Sequence, residues 1–238
     1  MCRRSSRISS LRMPTPPPAE LAAQLVRADA ALHAQVTVQQ ALAEQLVELR
    51  LSDHPSLSRA VIRLLPSRLA RDVADDVIAH RELTTLKPSH PGPPIRLGAA
   101  LAASRLRAYY TEAQLRSGVA WQVLAAVNYV ESDFGRLREP SASGALGPMQ
   151  FLPSTWAAYG RGDVHNPRAA ILGAAHFLRA AGGASNERAA LYRYNPSRRY
   201  VDAVERYAGR IRRDPAAFLV FYARRLLVRT ANGYRRLN

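Results

Sequence analysis

VAWQVLAAVNYVESDFG, residues 119–135, decides how this chain folds. From Val119 to Val130 the run is apolar almost all the way round, so a helix formed here has to be covered on every side. Near its last turn stands one carboxylate, Glu131. The spacing predicts a helix capped at Ser117, running to Phe134 and stopped by Gly135. On its own face Glu131 then has Leu124 and Val127 behind it and Phe134 ahead. Such neighbours disfavour the charged form, which leaves a proton to donate, as a general acid requires. The helix alone leaves a second reading open, a glutamate that reaches water from a helix end.

Working outward, the punctuation stays helical. Asn166-Pro167 is an N-cap followed by proline at the first helical position, and Gly182-Gly183 stops that helix. Ser185 and Ser197 each suit a further N-cap, and Asp214-Pro215 starts a last helix. FLVFYARRLLVR, residues 218–229, reads as helix packing back on the domain, with a membrane-surface helix as the other reading. Upstream, apolar stripes run through Leu21, Leu25, Leu32 and Val36, then Leu42, Leu46 and Leu49. Leu57, Val61 and Leu64 follow, then Leu69, Val73 and Val77, with His80 continuing the last stripe. No strand alternation and no internal repeat stands out. The expected fold is therefore all-α, with a small helical N-terminal module ahead of a helical domain.

The expected boundaries follow from the same punctuation. Residues 1–17 form a basic, Pro-rich lead, 18–86 the N-terminal helical module and 87–96 a Pro-rich linker. Residues 97–210 form the main domain and 211–238 a helical extension. The 238 residues carry a formal net charge of +16. Nearly all of the positive charge is arginine, Lys87 being the only lysine. Such a balance suits a polyanion, whether nucleic acid, an anionic membrane surface or a carboxylate-bearing wall polymer. Cys2 is the single cysteine, so an internal disulfide is impossible. MCRRSSRISSLRM has the charge of a signal n-region, but PTPPPAE follows it instead of an apolar core, and no apolar run is long enough to span a membrane.

Two later segments add chemistry to Glu131. PSASGALGPMQFLPSTWAAYG, residues 140–160, places Gly144 and Gly147 where backbone can approach a ligand. Met149 offers adaptable apolar contact there, and Gln150 an amide suited to hydroxyl or N-acetyl groups. ALYRYNPSRRY, residues 190–200, clusters Tyr192, Tyr194, Asn195 and Tyr200, a set suited to sugar rings that stack by their C–H faces. Taken singly each aromatic is more often a core residue than a cleft one. His165, His176 and His80 have no partner at metal-ligand spacing, and no cofactor or metal is expected.

Glu131-Ser132, then Ser141-x-x-Gly-Ala-x-Gly147-x-Met149-Gln150, then Tyr194-Asn195 resemble, in order and spacing, the lytic transglycosylases, relatives of goose-type lysozyme. The resemblance covers about residues 97–210. It implies a small lysozyme-like helical domain acting on peptidoglycan, with Glu131 as catalytic acid and base. Ser132, Ser141, Gly147, Met149, Gln150, Tyr194 and Asn195 would line the glycan cleft. Pro148, and Pro196-Ser197 after the Tyr-Asn pair, depart from many relatives. Ordinary glycoside hydrolysis uses two carboxylates, and no second one here falls in a recognised motif, although Glu139 and Asp163 sit in expected loops. The implied chemistry is cleavage between N-acetylmuramic acid and N-acetylglucosamine with a 1,6-anhydro product. The implied location is the cell envelope or beyond. A lysozyme-type hydrolase and a catalytically silent wall binder are the alternatives. Nucleic-acid binding is not expected, since the arginines are scattered and no reading motif is present.

Overall fold

The structure, a computed structural model, describes residues 16–86, 96–230 and 233–237. The lead expected over 1–17 and the linker expected over 87–96 therefore lie almost wholly outside the described residues. Eleven helices and one β-hairpin make up the described chain, in keeping with the all-α expectation. In chain order they are α1 (Pro18–Ala34), α2 (Val38–Asp53), α3 (Pro55–Ile62), α4 (Ser67–Thr84), α5 (Ala103–Ser117) and α6 (Trp121–Ser132). After these come α7 (Pro153–Tyr159), α8 (Pro167–Ala180), α9 (Glu187–Tyr194), α10 (Arg198–Arg213) and α11 (Ala217–Ala223). Strands β1 (Leu227–Thr230) and β2 (Gly233–Arg236) close the chain as an antiparallel pair with Leu227 opposite Arg236.

The all-round apolar run forms the central helix. Five consecutive residues of α6, Val123 to Val127, are buried, and α5, α8, α10 and α11 pack around them. Leu106 and Tyr110 of α5, Ile171 and Leu178 of α8 and Val204 of α10 complete this core. A smaller core joins Leu21 and Leu25 of α1, Leu51 of α2, Val61 of α3 and Leu69, Val73 and Val77 of α4. The stripe on α2 is rotated from the one expected: Leu49 is buried as expected, but Leu46 is exposed, and Ala41, Glu44, Val47, Glu48 and Leu51 face inward. Val61 of α3 is buried as expected, whereas just beyond that helix Leu65 is buried and Leu64 exposed.

That rotation brings Glu44 and Glu48 into a buried ionic cluster that ties the two cores together. Glu44, Glu48 and Asp76 (α4) meet Arg210 (α10) and Arg224, all at most 5% exposed. Arg224 reaches Glu48 at 2.7 Å, Asp76 at 2.8 Å and Glu44 at 2.9 Å. Arg210 binds Asp76 and also reaches Glu44 at 3.0 Å. Desolvation pushes Glu48 well above the usual carboxylate range. Burial pulls Glu44 the same way, but Arg210 and Arg224 outweigh it and hold Glu44 low. The main helical packing of α4 is against α10, so the N-terminal helices lean directly on the larger core.

Several predicted ends shift. Asn166 and Ser197 do cap α8 and α10 with their side chains. Ser117 instead ends α5, where Gly118 takes the left-handed φ of +75° that closes a helix. Asn186, not Ser185, caps α9. The helix expected through 218–229 stops at Ala223, and Leu227–Thr230 instead pairs as a strand with Gly233–Arg236.

Candidate active site

Glu131 lies in the last turn of α6, half-buried. Beyond Ser132 the backbone leaves the helix through three left-handed residues, Asp133, Phe134 and Gly135 (φ +50°, +60° and +81°). The Phe134 amide closes the end on the Asn128 carbonyl at 3.2 Å. Phe134 thus does not continue the face of Glu131, as a longer helix would have made it do. Its ring packs on Tyr129 at 5.3 Å and edge-on to Phe218 at 5.6 Å. A left-handed phenylalanine is rare, and this aromatic seat is what holds it there.

The Glu131 carboxylate is met from α10. The Tyr200 hydroxyl donates to Glu131 Oε1 at 2.7 Å, with Tyr200 itself 2% exposed. The Ser197 cap places Tyr200 in the first turn of α10, where it aims across the domain at α6. Burial, and then the Glu131 charge, push the Tyr200 phenol well above its ordinary value, and the same two causes act on Tyr194. Glu131, Tyr194 and Tyr200 therefore share one electrostatic environment. The sequence places Tyr200 in an aromatic cluster suited to sugar rings, without a role among the cleft residues that the resemblance implies; in the structure its hydroxyl meets the carboxylate of Glu131.

The 141–151 segment is fastened against this group. Leu146 and Phe151 pair as an isolated antiparallel bridge. Between them Gly147 (φ +72°) and Gln150 (φ +49°) make the turn. A β-carbon at position 147 would stand 2.1 Å from the Val164 carbonyl oxygen, so glycine is required by close packing of backbone on backbone. The Pro148 carbonyl accepts from Ser132 Oγ at 2.5 Å and from Asn128 Nδ2 at 2.7 Å. Tyr194, ending α9, donates to the Met149 carbonyl at 2.6 Å. Two residues of α6 and one of α9 thus fix the turn, while Asn128 also accepts from Tyr110 at 2.6 Å.

The residues singled out by motif fall into two groups. Ser132 and Met149 are fully buried, Ser132 clamping the turn and Met149 filling the core. Ser141, Gly147, Gln150, Tyr194 and Asn195 are half-buried. Ser141 Oγ accepts from the Ala145 amide at 3.0 Å, and Gln150 Nε2 donates to the Gly147 carbonyl at 3.0 Å. Asn195 is the residue that ends α9. Of the two other loop carboxylates, Glu139 pairs with Arg96, and Asp163 accepts from the His165 amide at 2.9 Å. Among the described residues no three His, Cys, Asp or Glu stand close enough to hold a metal ion, and no helix is long and apolar enough to cross a membrane.

Comparison with known proteins agrees with the motif order. Residues 108–214 match the family described as Transglycosylase SLT domain. A curated relative, membrane-bound lytic murein transglycosylase F of Thiobacillus denitrificans, is 41% identical over 73 residues, covering 31% of this chain and 15% of the relative. The chain thus spans only a small part of that relative's length, and no solved structure matches. The match encloses α6, the 141–151 turn, α9 and α10, so the elements that assemble around Glu131 all lie within the stretch that is similar to the Transglycosylase SLT domain.

Proposed function

We propose that the chain is a peptidoglycan lytic transglycosylase that works with a single carboxylate, Glu131, at the cell wall. The observation that carries this reading is the pairing of Tyr200 with Glu131 Oε1 at 2.7 Å. A phenol donating to one carboxyl oxygen leaves the proton of the acid form on the other, Oε2. That proton passes to the oxygen bridging N-acetylmuramic acid and N-acetylglucosamine as the C1–O bond breaks. The muramyl N-acetyl carbonyl oxygen attacks C1 and holds it as a cyclic oxazolinium. The C6 hydroxyl then attacks C1, releases the amide and returns its proton to Glu131. Atoms balance without water, and the product is a 1,6-anhydro ring.

The surroundings support one acid in both roles. Asp133 lies two residues on, beyond the helix end, and pairs with Arg136 at 3.2 Å. Gly147, Gln150, Tyr194 and Asn195 supply backbone, amide and aromatic groups to a sugar chain, and Ser141 a hydroxyl. Ser132 and Met149 act from behind by fixing the turn.

The test is Glu131→Gln. The variant should keep the helical circular-dichroism spectrum of the parent and release no anhydro-muropeptides from sacculi, read by mass spectrometry. Undiminished release would remove Glu131 from its role. Reducing-end muramic acid without anhydro product from the parent would assign hydrolysis in place of ring closure.

A further inference from the structure

A cavity of about 480 Å³ lies between α5, the end of α7 and α8, and Glu131 is not part of its lining. Its size is that of a small-molecule or short-peptide pocket. Its floor is made of small apolar groups, Ala113, Leu172, Gly173 and Ala175. Four guanidiniums stand around it, from Arg116, Arg161, Arg168 and Arg179. Glu112 pairs with both Arg116 and Arg168. Among the described residues neither Arg161 nor Arg179 is in an ion pair, and their hydrogen bonds go to the Gly160 and Arg116 carbonyls. One carboxylate against four cations leaves the cavity short of negative charge. Tyr159 on its wall touches Phe177 at 4.9 Å, and Phe177 touches Tyr194 at 5.3 Å, so one aromatic layer connects the cavity to the Glu131 group.

We infer that this cavity binds a short acidic peptide rich in alanine, the chemistry of the stem peptides of peptidoglycan, at a place apart from Glu131. The choice of occupant follows from the lining. A fatty acid carries one charge on a long chain and would want a deep apolar tunnel with a single cation. Here the cations are spread round an apolar lining of two alanines, a glycine and a leucine. That arrangement fits a ligand with several carboxylates and small methyl side chains between them, each carboxylate able to take a paired N–H···O bond from arginine. The identification of the peptide rests on the proposed function; the presence of an anion site does not.

The experiment is calorimetric titration of the full chain with a synthetic Ala-γ-D-Glu-diaminopimelate-D-Ala peptide, beside laurate and inorganic phosphate. The expected result is saturable peptide binding that weakens as salt is raised, is retained in Glu131→Gln, and falls about tenfold or more in the double variant R161Q/R179Q, through loss of two charge-assisted contacts. Both arginines are exposed, and an unchanged melting temperature confirms that the double variant folds. Absence of saturable binding, equal binding by the double variant, or loss in Glu131→Gln would each overturn the site. Tighter binding of laurate or phosphate would overturn the peptide as occupant. Cleavage of peptide-free glycan strands is read in parallel. Cleavage without peptide binding sinks this inference alone, and peptide binding without cleavage sinks the proposed function alone.

Discussion

Replacing Arg210 by methionine keeps most of the side-chain volume and removes one of two guanidiniums from a buried group that also holds three carboxylates. In the parent, Arg210 and Arg224 each reach all three acids, Arg210 lying farthest from Glu48 at 3.6 Å. After substitution Arg224 faces the three acids without help. Breaking a buried ion pair from one side costs about 3–5 kcal/mol, because the remaining charge has lost its partner away from water. For a chain of this size each kcal/mol moves the melting temperature by about 2–4 °C, so a fall of roughly 10 °C is expected at neutral pH. Glu48→Gln should act with the opposite sign. Burial holds the Glu48 carboxyl well above its ordinary value. Its contribution is therefore fully present below the pH at which an unfolded glutamate ionises and is lost as pH rises through the folded value. Removing the ionisable group removes that loss, so Glu48→Gln should stabilise the fold on the alkaline side and leave it little changed in acid. Differential scanning calorimetry across pH reads both variants. An Arg210→Met shift below about 2 °C would refute the idea that the guanidinium offsets buried negative charge.

Three further expectations concern the site and its support. Tyr200→Phe removes the hydrogen bond to Glu131 and should lower kcat/KM on sacculi about ten- to hundredfold, corresponding to roughly 1.5–3 kcal/mol, with unchanged circular dichroism; parental turnover would show that the phenol does not position the acid. Gly147→Ala places a methyl against the Val164 carbonyl at a positive φ and should destabilise the fold by about 2 kcal/mol or more, seen in urea denaturation. Burial raises the Tyr129 phenol from its ordinary 10.0 to about 12. Stability held below the ionisation of an unfolded tyrosine should therefore fall away between these values, and tyrosinate absorbance followed with melting temperature should show the two moving together.

Much of this architecture is legible in single residues. The unbroken apolar run of α6 announces a helix covered on all sides, and Asn166 and Ser197 announce the starts of α8 and α10 because short polar side chains satisfy free helix amides. The misreadings have identifiable causes, one local and the others remote in the chain. Gly118 was a better stop for α5 than Ser117 was a start for α6, since only glycine enters the left-handed region freely. Phe134 bends back because aromatic rings from α11 receive it, a contact 84 residues away that no local pattern contains. Glu44 and Glu48 look like a solvated face until Arg210 and Arg224 arrive from the far end of the chain. Of the site, Glu131, Tyr194 and the 141–150 turn could be read from motif order, whereas the Tyr200 contact spans 69 residues and depends on how α10 is seated.

The aromatic seat under α6 has a consequence for where the chain can be cut. Phe218 of α11 stands edge-on to Trp121 and Phe134, Phe221 stacks on Tyr129, and both lie past residue 214, where the family match ends. The residues that resemble the family motifs thus do not by themselves complete the surroundings of the helix that bears Glu131: part of its aromatic cover is supplied by α11, and a fragment cut at residue 214 would lack it.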